Sequence, residues 1–222
     1  FIVKELSRLE KQSFLESGPT FLRYWGTAQA TGTSTSLAKI LGVYQATIGK
    51  SETIDFLIME NIFYGCDIHR IYDLKGSERD RYVAQGASTR GTVLLDQNLK
   101  EISLNNPLSI TPASFEHLKG VLQEDTGKAA CEEFLANQDV MDYSLLIGVD
   151  KNRRQLVIGV IDFIRQFTLD KALEMYVKKS GLLGGGGKEP TIISPKQYAN
   201  RFRLAMAKWL VSVPTGTESC TS

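Results

Sequence analysis

Three residues of this chain have the type and position to do phosphate chemistry: Lys4, Asp142 and Asp162. Asp162 directly follows Leu156-Val157-Ile158-Gly159-Val160-Ile161, so a carboxylate stands where an apolar strand runs out. Asp142, in the stretch "MDYSLL", lies 20 residues earlier, with a predicted hairpin over 145–161 between them. A strand pair with an aspartate at each end can bring both carboxylates to one rim. Phosphoryl transfer needs one carboxylate near the attacking hydroxyl and another on magnesium, both fixed by rigid elements. Ordinary turn aspartates are the plain alternative.

Lys4 sits within a strand, Val3-Lys4-Glu5-Leu6, followed by a helix carrying Glu10 and Glu16. A strand lysine facing nucleotide phosphates and braced by a helix glutamate is the protein-kinase arrangement. Taken alone, a strand lysine is an exposed residue. A later strand ends at Leu57-Ile58-Met59-Glu60-Asn61, a hinge whose backbone could bond adenine.

Two other motifs fail on inspection. A P-loop ending at Gly187-Lys188 needs Gly at 182 and Ser or Thr at 189, where the chain has Leu182 and Glu189. In "HRIYDLKGSE" three residues separate Arg70 from Leu74, no Asn follows in register, and Asp162 is 89 positions beyond Asp73. That is not the catalytic loop of protein kinases.

The elements that must position these residues follow from periodicity and caps. Strands are predicted over 1–6, 40–47, 53–60, 68–74, 92–96, 145–149 and 156–161, with turns at Gly49-Lys50-Ser51 and Asp150-Lys151-Asn152-Arg153. A short helix is predicted from Ser7 to about Glu16, and another from Thr111-Pro112 toward Gln138. Ser194-Pro195-Lys196-Gln197 opens a capping box, and Tyr198, Phe202, Ala205 and Trp209 share one face of a final helix. Residues 165–193 carry no sustained pattern and include Gly184 to Gly187. A long irregular loop of that kind suits function or disorder.

With 222 residues and 42% hydrophobic content, the chain can bury a real core as one domain or two lobes. It has no apolar run of about 18 residues, as a membrane span would require. The start, Phe1-Ile2-Val3-Lys4, reads as mid-strand and has no signal-peptide character, so the chain is taken as a fragment. Cys66, Cys131 and Cys220 make neither a zinc spacing nor a disulfide framework, favouring a reducing setting. The net charge of +1 hides a basic segment from Arg165 to Arg203, with eight Lys/Arg against three Asp/Glu. Such a segment suits an anionic partner or a solvated loop.

The segments "IYDLKGS" at 71–77, "MDYSLLIGVD" at 141–150, "GVIDF" at 159–163 and "SPKQYANRF" at 194–202, in this order and spacing, resemble the phosphatidylinositol phosphate kinases. The likeness covers nearly the whole chain. "IDFIRQFTLDK", the short 151–155 turn without an acidic insert, and "EPTIISPKQY" look most like the PIKfyve class, which phosphorylates the 5-position of phosphatidylinositol 3-phosphate.

The resemblance implies an α+β, two-lobed lipid-kinase fold related to protein kinases, with antiparallel sheets and flanking helices. A partial N-lobe over about 1–60 and a C-lobe over about 61–222 are expected, with the strand pair that covers the phosphates lying upstream. It implies ATP and Mg2+ as cofactors. Lys4 would contact ATP phosphates, and Met59, Glu60, Asn61 and Ile62 would form the adenine hinge. Asp142 would be the catalytic aspartate, Asp162 the magnesium ligand, and Asp73 and Lys75 would line the active site. Arg165, Lys171, Lys178, Lys179 and Lys188 would face a phosphoinositide in the membrane. Peripheral association with the cytoplasmic face of endosomal or vacuolar membranes is implied, with scaffold proteins as possible partners of a longer parent and no nucleic acid. A 4-phosphate 5-kinase and a non-catalytic phosphoinositide-binding module are the alternatives. The fragment alone is expected to be inactive.

Overall fold

The computed structural model describes residues 1–49, 52–84, 91–126, 134–167 and 193–214. They fold as an α+β protein with three sheets among the described residues. Strand β1 (Ile2–Glu5) runs into Ser7, which caps helix α1 (Arg8–Thr31). The Ser7 hydroxyl accepts from the Glu10 amide at 3.2 Å, and Glu10 Oε2 accepts from the Ser7 amide at 2.9 Å. This reciprocal capping box satisfies two of the orphan donors at the helix start.

Helix α1 does not stop near Glu16, as the sequence predicts, but runs on through Gly18 and Pro19. Proline removes one helical hydrogen bond, yet the helix has a reason to continue. Ser13, Ser17, Phe21 and Ala28 form a buried stripe, and tertiary packing of such a face outweighs local propensity. Termination comes at Gly32, in the left-handed region at φ +70°, and the amide of Thr33 bonds Ala28 O at 2.9 Å.

Strands β2 (Ile40–Ile48) and β3 (Glu52–Met59) form the predicted hairpin, and β3 lies between β1 and β2 in an antiparallel sheet. Lys4 pairs with Leu57 in that register. Strand β4 (Ile68–Leu74) matches its predicted bounds. The next predicted strand shrinks to β5 (Val93–Leu94), because Asp96 opens a helix, α2 (Asp96–Ser103), that has no strong sequence signal. Strand β6 (Leu108–Ile110) leads to α3 (Pro112–Thr126) and α4 (Phe134–Asn137). The single long helix read from sequence is therefore described only as these two pieces, and 127–133 lie outside the described residues.

Strands β7 (Ser144–Asp150) and β8 (Gln155–Ile161) complete the second sheet, in the order β5-β4-β7-β8. Helix α5 (Pro195–Trp209) starts at the Ser194–Gln197 capping box, buries Tyr198, Phe202 and Trp209, and leads into β9 (Leu210–Ser212). β9 pairs in parallel with β6, a two-stranded sheet too short to show a period.

Residues 36–38 stitch the first two sheets together. The Val160 amide donates to Ser36 O at 2.7 Å, and the Ala38 amide donates to Val160 O at 2.9 Å. Asp125, fully buried on α3, fixes this seam by accepting from the Thr35 hydroxyl, the Ser36 amide and Tyr24 Oη at 2.9, 2.6 and 2.5 Å. Burial and the adjacent Asp125 charge push the Tyr24 phenol well above its usual pKa, so it remains a donor. An aromatic cluster packs beneath: Phe21 of α1 lies 5.2 Å from both Phe134 and Phe163.

Candidate active site

Register brings the two aspartates together. Ser144 pairs with Ile161, so Asp142, two residues before β7, and Asp162, one residue after β8, leave the hairpin on the same rim. Both adopt left-handed backbone, at φ +67° and +61°. Aspartate tolerates that region better than most residues because its short polar chain bonds locally. Beyond the hairpin the two segments stay tied. The Met141 amide donates to Arg165 O at 3.3 Å and the Phe167 amide to Asp139 O at 2.6 Å.

Lys4 reaches this rim from the other sheet. Its Nζ is 2.9 Å from Asp162 Oδ1 and 3.2 Å from Glu10 Oε1. The brace is therefore Glu10; Glu16 instead accepts from Gln12 Nε2 at 3.2 Å. Burial alone would lower the Lys4 pKa, but the bond to Asp162 and the charges of Asp162 and Glu10 raise it above the usual lysine value. Glu10 shifts oppositely: burial raises it, and the Ser7 hydrogen bonds and Lys4 more than offset this. Behind the pair, Phe163 is buried against Phe21, which couples the Asp162 backbone to α1.

The DLKGS segment enters from β4. Asp73 and Leu74 pair with Leu146 and Leu145, so Lys75 emerges beside the start of β7. Its Nζ donates to the Asp142 backbone carbonyl at 2.7 Å. Gly76 has φ +71°, and a Cβ there would stand 3.1 Å from Phe202 Cα of α5, so glycine is required on two counts. Asp73 places its carboxylate 2.5 Å from Arg81 Nη2.

Two residues that no local motif signals organise this loop. Asp96, fully buried at the first turn of α2, accepts from the Lys75 and Gly76 amides at 3.0 and 2.8 Å. Arg81 Nε lies 2.7 Å from Asp96 Oδ2, so the guanidinium bridges Asp96 and Asp73. Burial would lower the Arg81 pKa, and the two carboxylates raise it. A third, Tyr198 of α5, donates its hydroxyl to the Tyr143 carbonyl, next to Asp142. The sequence marks Tyr198 as a core residue and gives no hint of that bond.

The segment 59–62 leads from the first sheet toward the second. Met59 pairs with Ile2 on one side and Ile40 on the other. The Glu60 amide is already used by Lys39 O at 2.8 Å, which leaves its carbonyl rather than its N–H for a hinge bond. Asn61 Oδ1 caps the Phe63 amide at 3.0 Å. Ile62 lies against Gly159 of β8, where an added Cβ would come within 3.0 Å of its Cδ1. Arg165 is exposed three residues past Asp162. Lys171, Lys178, Lys179 and Lys188 lie outside the described residues.

Among the described residues no three His, Cys, Asp or Glu side chains cluster as a metal cage. Magnesium ordinarily takes one or two carboxylates, the other positions going to phosphates and water, and Asp162 could supply one.

Residues 1–157 match the family model for phosphatidylinositol-4-phosphate 5-kinase. The chain belongs to this family. It is 46% identical over 220 residues to a 1-phosphatidylinositol-3-phosphate 5-kinase of Arabidopsis thaliana, covering 96% of this chain and 12% of that protein. Human 1-phosphatidylinositol 3-phosphate 5-kinase is 44% identical over 221 residues, again 96% of this chain and 10% of the relative. The Saccharomyces cerevisiae enzyme of that name is 41% identical over 222 residues, covering 96% and 9% respectively. The chain thus spans about a tenth of the length of these curated relatives. Among the described residues, no helix of this phosphatidylinositol phosphate kinase chain is long and apolar enough to cross a membrane.

Proposed function

We propose that the protein carrying this chain transfers the γ-phosphoryl group of ATP to the 5-hydroxyl of phosphatidylinositol 3-phosphate, giving phosphatidylinositol 3,5-bisphosphate. The observation that carries the reading is the contact of Lys4 with Asp162 at 2.9 Å, beside Asp142 on the same rim. The substrate follows from relatives whose names all specify the 3-phosphate lipid.

The roles divide by position. Asp142 accepts the proton of the attacking hydroxyl, whose oxygen forms the new P–O bond as ADP leaves. Lys75 holds the Asp142 backbone through its carbonyl, fixing where that carboxylate points. Lys4 turns its ammonium to the nucleotide phosphates, and the carbonyls of the 59–62 segment read the adenine edge. Asp162 supplies the carboxylate for Mg2+, which when bound neutralises charge on the transferring group. Asp73 and Arg81 sit as a paired charge at the edge of this region. Arg165 and the lysines at 171, 178, 179 and 188 are assigned to the lipid headgroup and its anionic surroundings. On this reading the protein works peripherally, at the cytoplasmic face of endosomal or vacuolar membranes, with residues 1–60 in the nucleotide-side lobe.

The 4-phosphate lipid is the second reading, favoured by the description of the matching family. Turnover of each monophosphorylated lipid in vesicles by the full-length protein decides between them. Preference for the 3-phosphate is expected, preference for the 4-phosphate would reassign the substrate, and turnover of neither would leave a binding module.

A further inference from the structure

The β7–β8 hairpin has a second end. Its turn, residues 151–154, lies across two seven-residue strands from the aspartate rim, roughly 20 Å away at about 3.3 Å per residue. A cleft of about 860 Å³ opens there between the turn, the start of β4, β6 and the first turn of α3. Arg70, Lys151 and Arg154 line it. Among the described residues none of these three cations is ion-paired, whereas neighbouring His69 stands 3.4 Å from Asp67.

The Arg70 side chain and the backbone of the turn are held in place. Arg70 Nη1 donates to the buried Tyr72 Oη at 3.3 Å. Arg154 has left-handed backbone at φ +52°, and its amide bonds Lys151 O at 3.3 Å, so the turn has one defined shape. Asp150 is the one carboxylate among the described lining residues. Its Oδ1 accepts from the Arg153 amide at 3.0 Å, and its buried Oδ2, 3.9 Å from Arg153 Nε, has no hydrogen-bond partner among the described residues. Asn106, Ser109, Ser114 and Gln155 add neutral hydrogen-bonding groups to the walls. Three cations that line one cleft, with no ion-pair partner among the described residues, call for a multivalent anion, and the neutral groups match hydroxyls.

We propose that this cleft binds a phosphorylated polyol, supplied either as a soluble molecule or as a lipid headgroup. The proposal stands apart from the kinase reading, since none of these residues lies on the Lys4–Asp162 rim.

The test is calorimetric titration of the full chain with inositol 1,4,5-trisphosphate, beside Lys151→Ser/Arg154→Asn, Arg70→Gln and Asp162→Asn. Asparagine tolerates the backbone at 154. Saturable binding is expected, its cleft component weakened about tenfold for each cation removed and unaltered in Asp162→Asn. Phosphatidylcholine vesicles carrying the matching bisphosphorylated lipid form a second arm. Binding to the soluble probe alone assigns a soluble ligand, and tighter binding to the vesicles assigns a headgroup. Failure of both probes to saturate, affinity that survives the turn and Arg70 variants, or loss of binding in Asp162→Asn would overturn the proposal.

Discussion

Lys4 and Asp162 are 158 residues apart in sequence and 2.9 Å apart in space, and their contact ties β1 of one sheet to the rim of the other. Glu10 holds the lysine from its second side at 3.2 Å. The pair is part-exposed, and on the proposed reading its charges act on phosphate. A lysine facing two carboxylates is oriented and charged before any nucleotide arrives.

The pH dependence of this triad follows from the shifts. Glu10 has a lowered folded-state pKa, so its contribution is present above the ordinary value of 4.5 and is lost as pH falls through the lower folded value. Lys4 has a raised one, so its contribution is present below 10.5 and lost as pH rises through the higher folded value. Thermal melts of the chain and of Glu10→Gln should therefore differ in the neutral range and converge in acid below the carboxylate range. A difference that stays constant through acid pH would remove Glu10 from the triad.

Asp96→Ala should be among the most damaging substitutions outside the rim. It strips Arg81 of one carboxylate and leaves the Lys75 and Gly76 amides without their buried acceptor. Breaking a buried pair from one side costs about 3 kcal/mol or more. Urea unfolding of the purified chain measures it, and a loss under about 1 kcal/mol, the range of an exposed ion pair, would show that the loop holds its shape without Asp96.

Tyr198→Phe tests positioning without charge. The variant keeps the ring against Tyr143, 4.8 Å between centroids, and loses the donor to the Tyr143 carbonyl. A buried acceptor left unmade costs about 1–3 kcal/mol. In the full-length protein kcat should fall while KM for ATP holds, because the change acts on the Asp142 backbone. A rise in KM for ATP with unchanged kcat would place Tyr198 in nucleotide binding instead.

Much of this was legible in the chain. The strand ending at Asp162, the Asp142 hairpin, the Ser194 cap and Lys4 with a helix glutamate are all local signals, carried by period, turn residues or capping pairs. What the sequence concealed is long-range. Asp96 and Arg81 act on Asp73 and Lys75 through bonds that only the placement of α2 beside β4 creates. Helix α1 runs past Pro19 because Phe21 and Ala28 find a core, which no local propensity reports. The β6–β9 pair joins residues about a hundred positions apart in strands of three residues.

On the proposed reading the two aspartates of the hairpin rim perform phosphoryl transfer to a 3-phosphorylated inositol lipid. Its most direct measurement is transfer of labelled phosphate from ATP to phosphatidylinositol 3-phosphate vesicles by the full-length protein, wild type against Asp162→Asn, at matched magnesium. If Asp162 takes the metal as proposed, losing its carboxylate would forfeit several kcal/mol of transition-state stabilisation, a drop of about a thousandfold or more. The wild type should give 3,5-bisphosphorylated lipid and the variant should show that loss, with the fold retained by circular dichroism. Undiminished turnover by Asp162→Asn would contradict that reading.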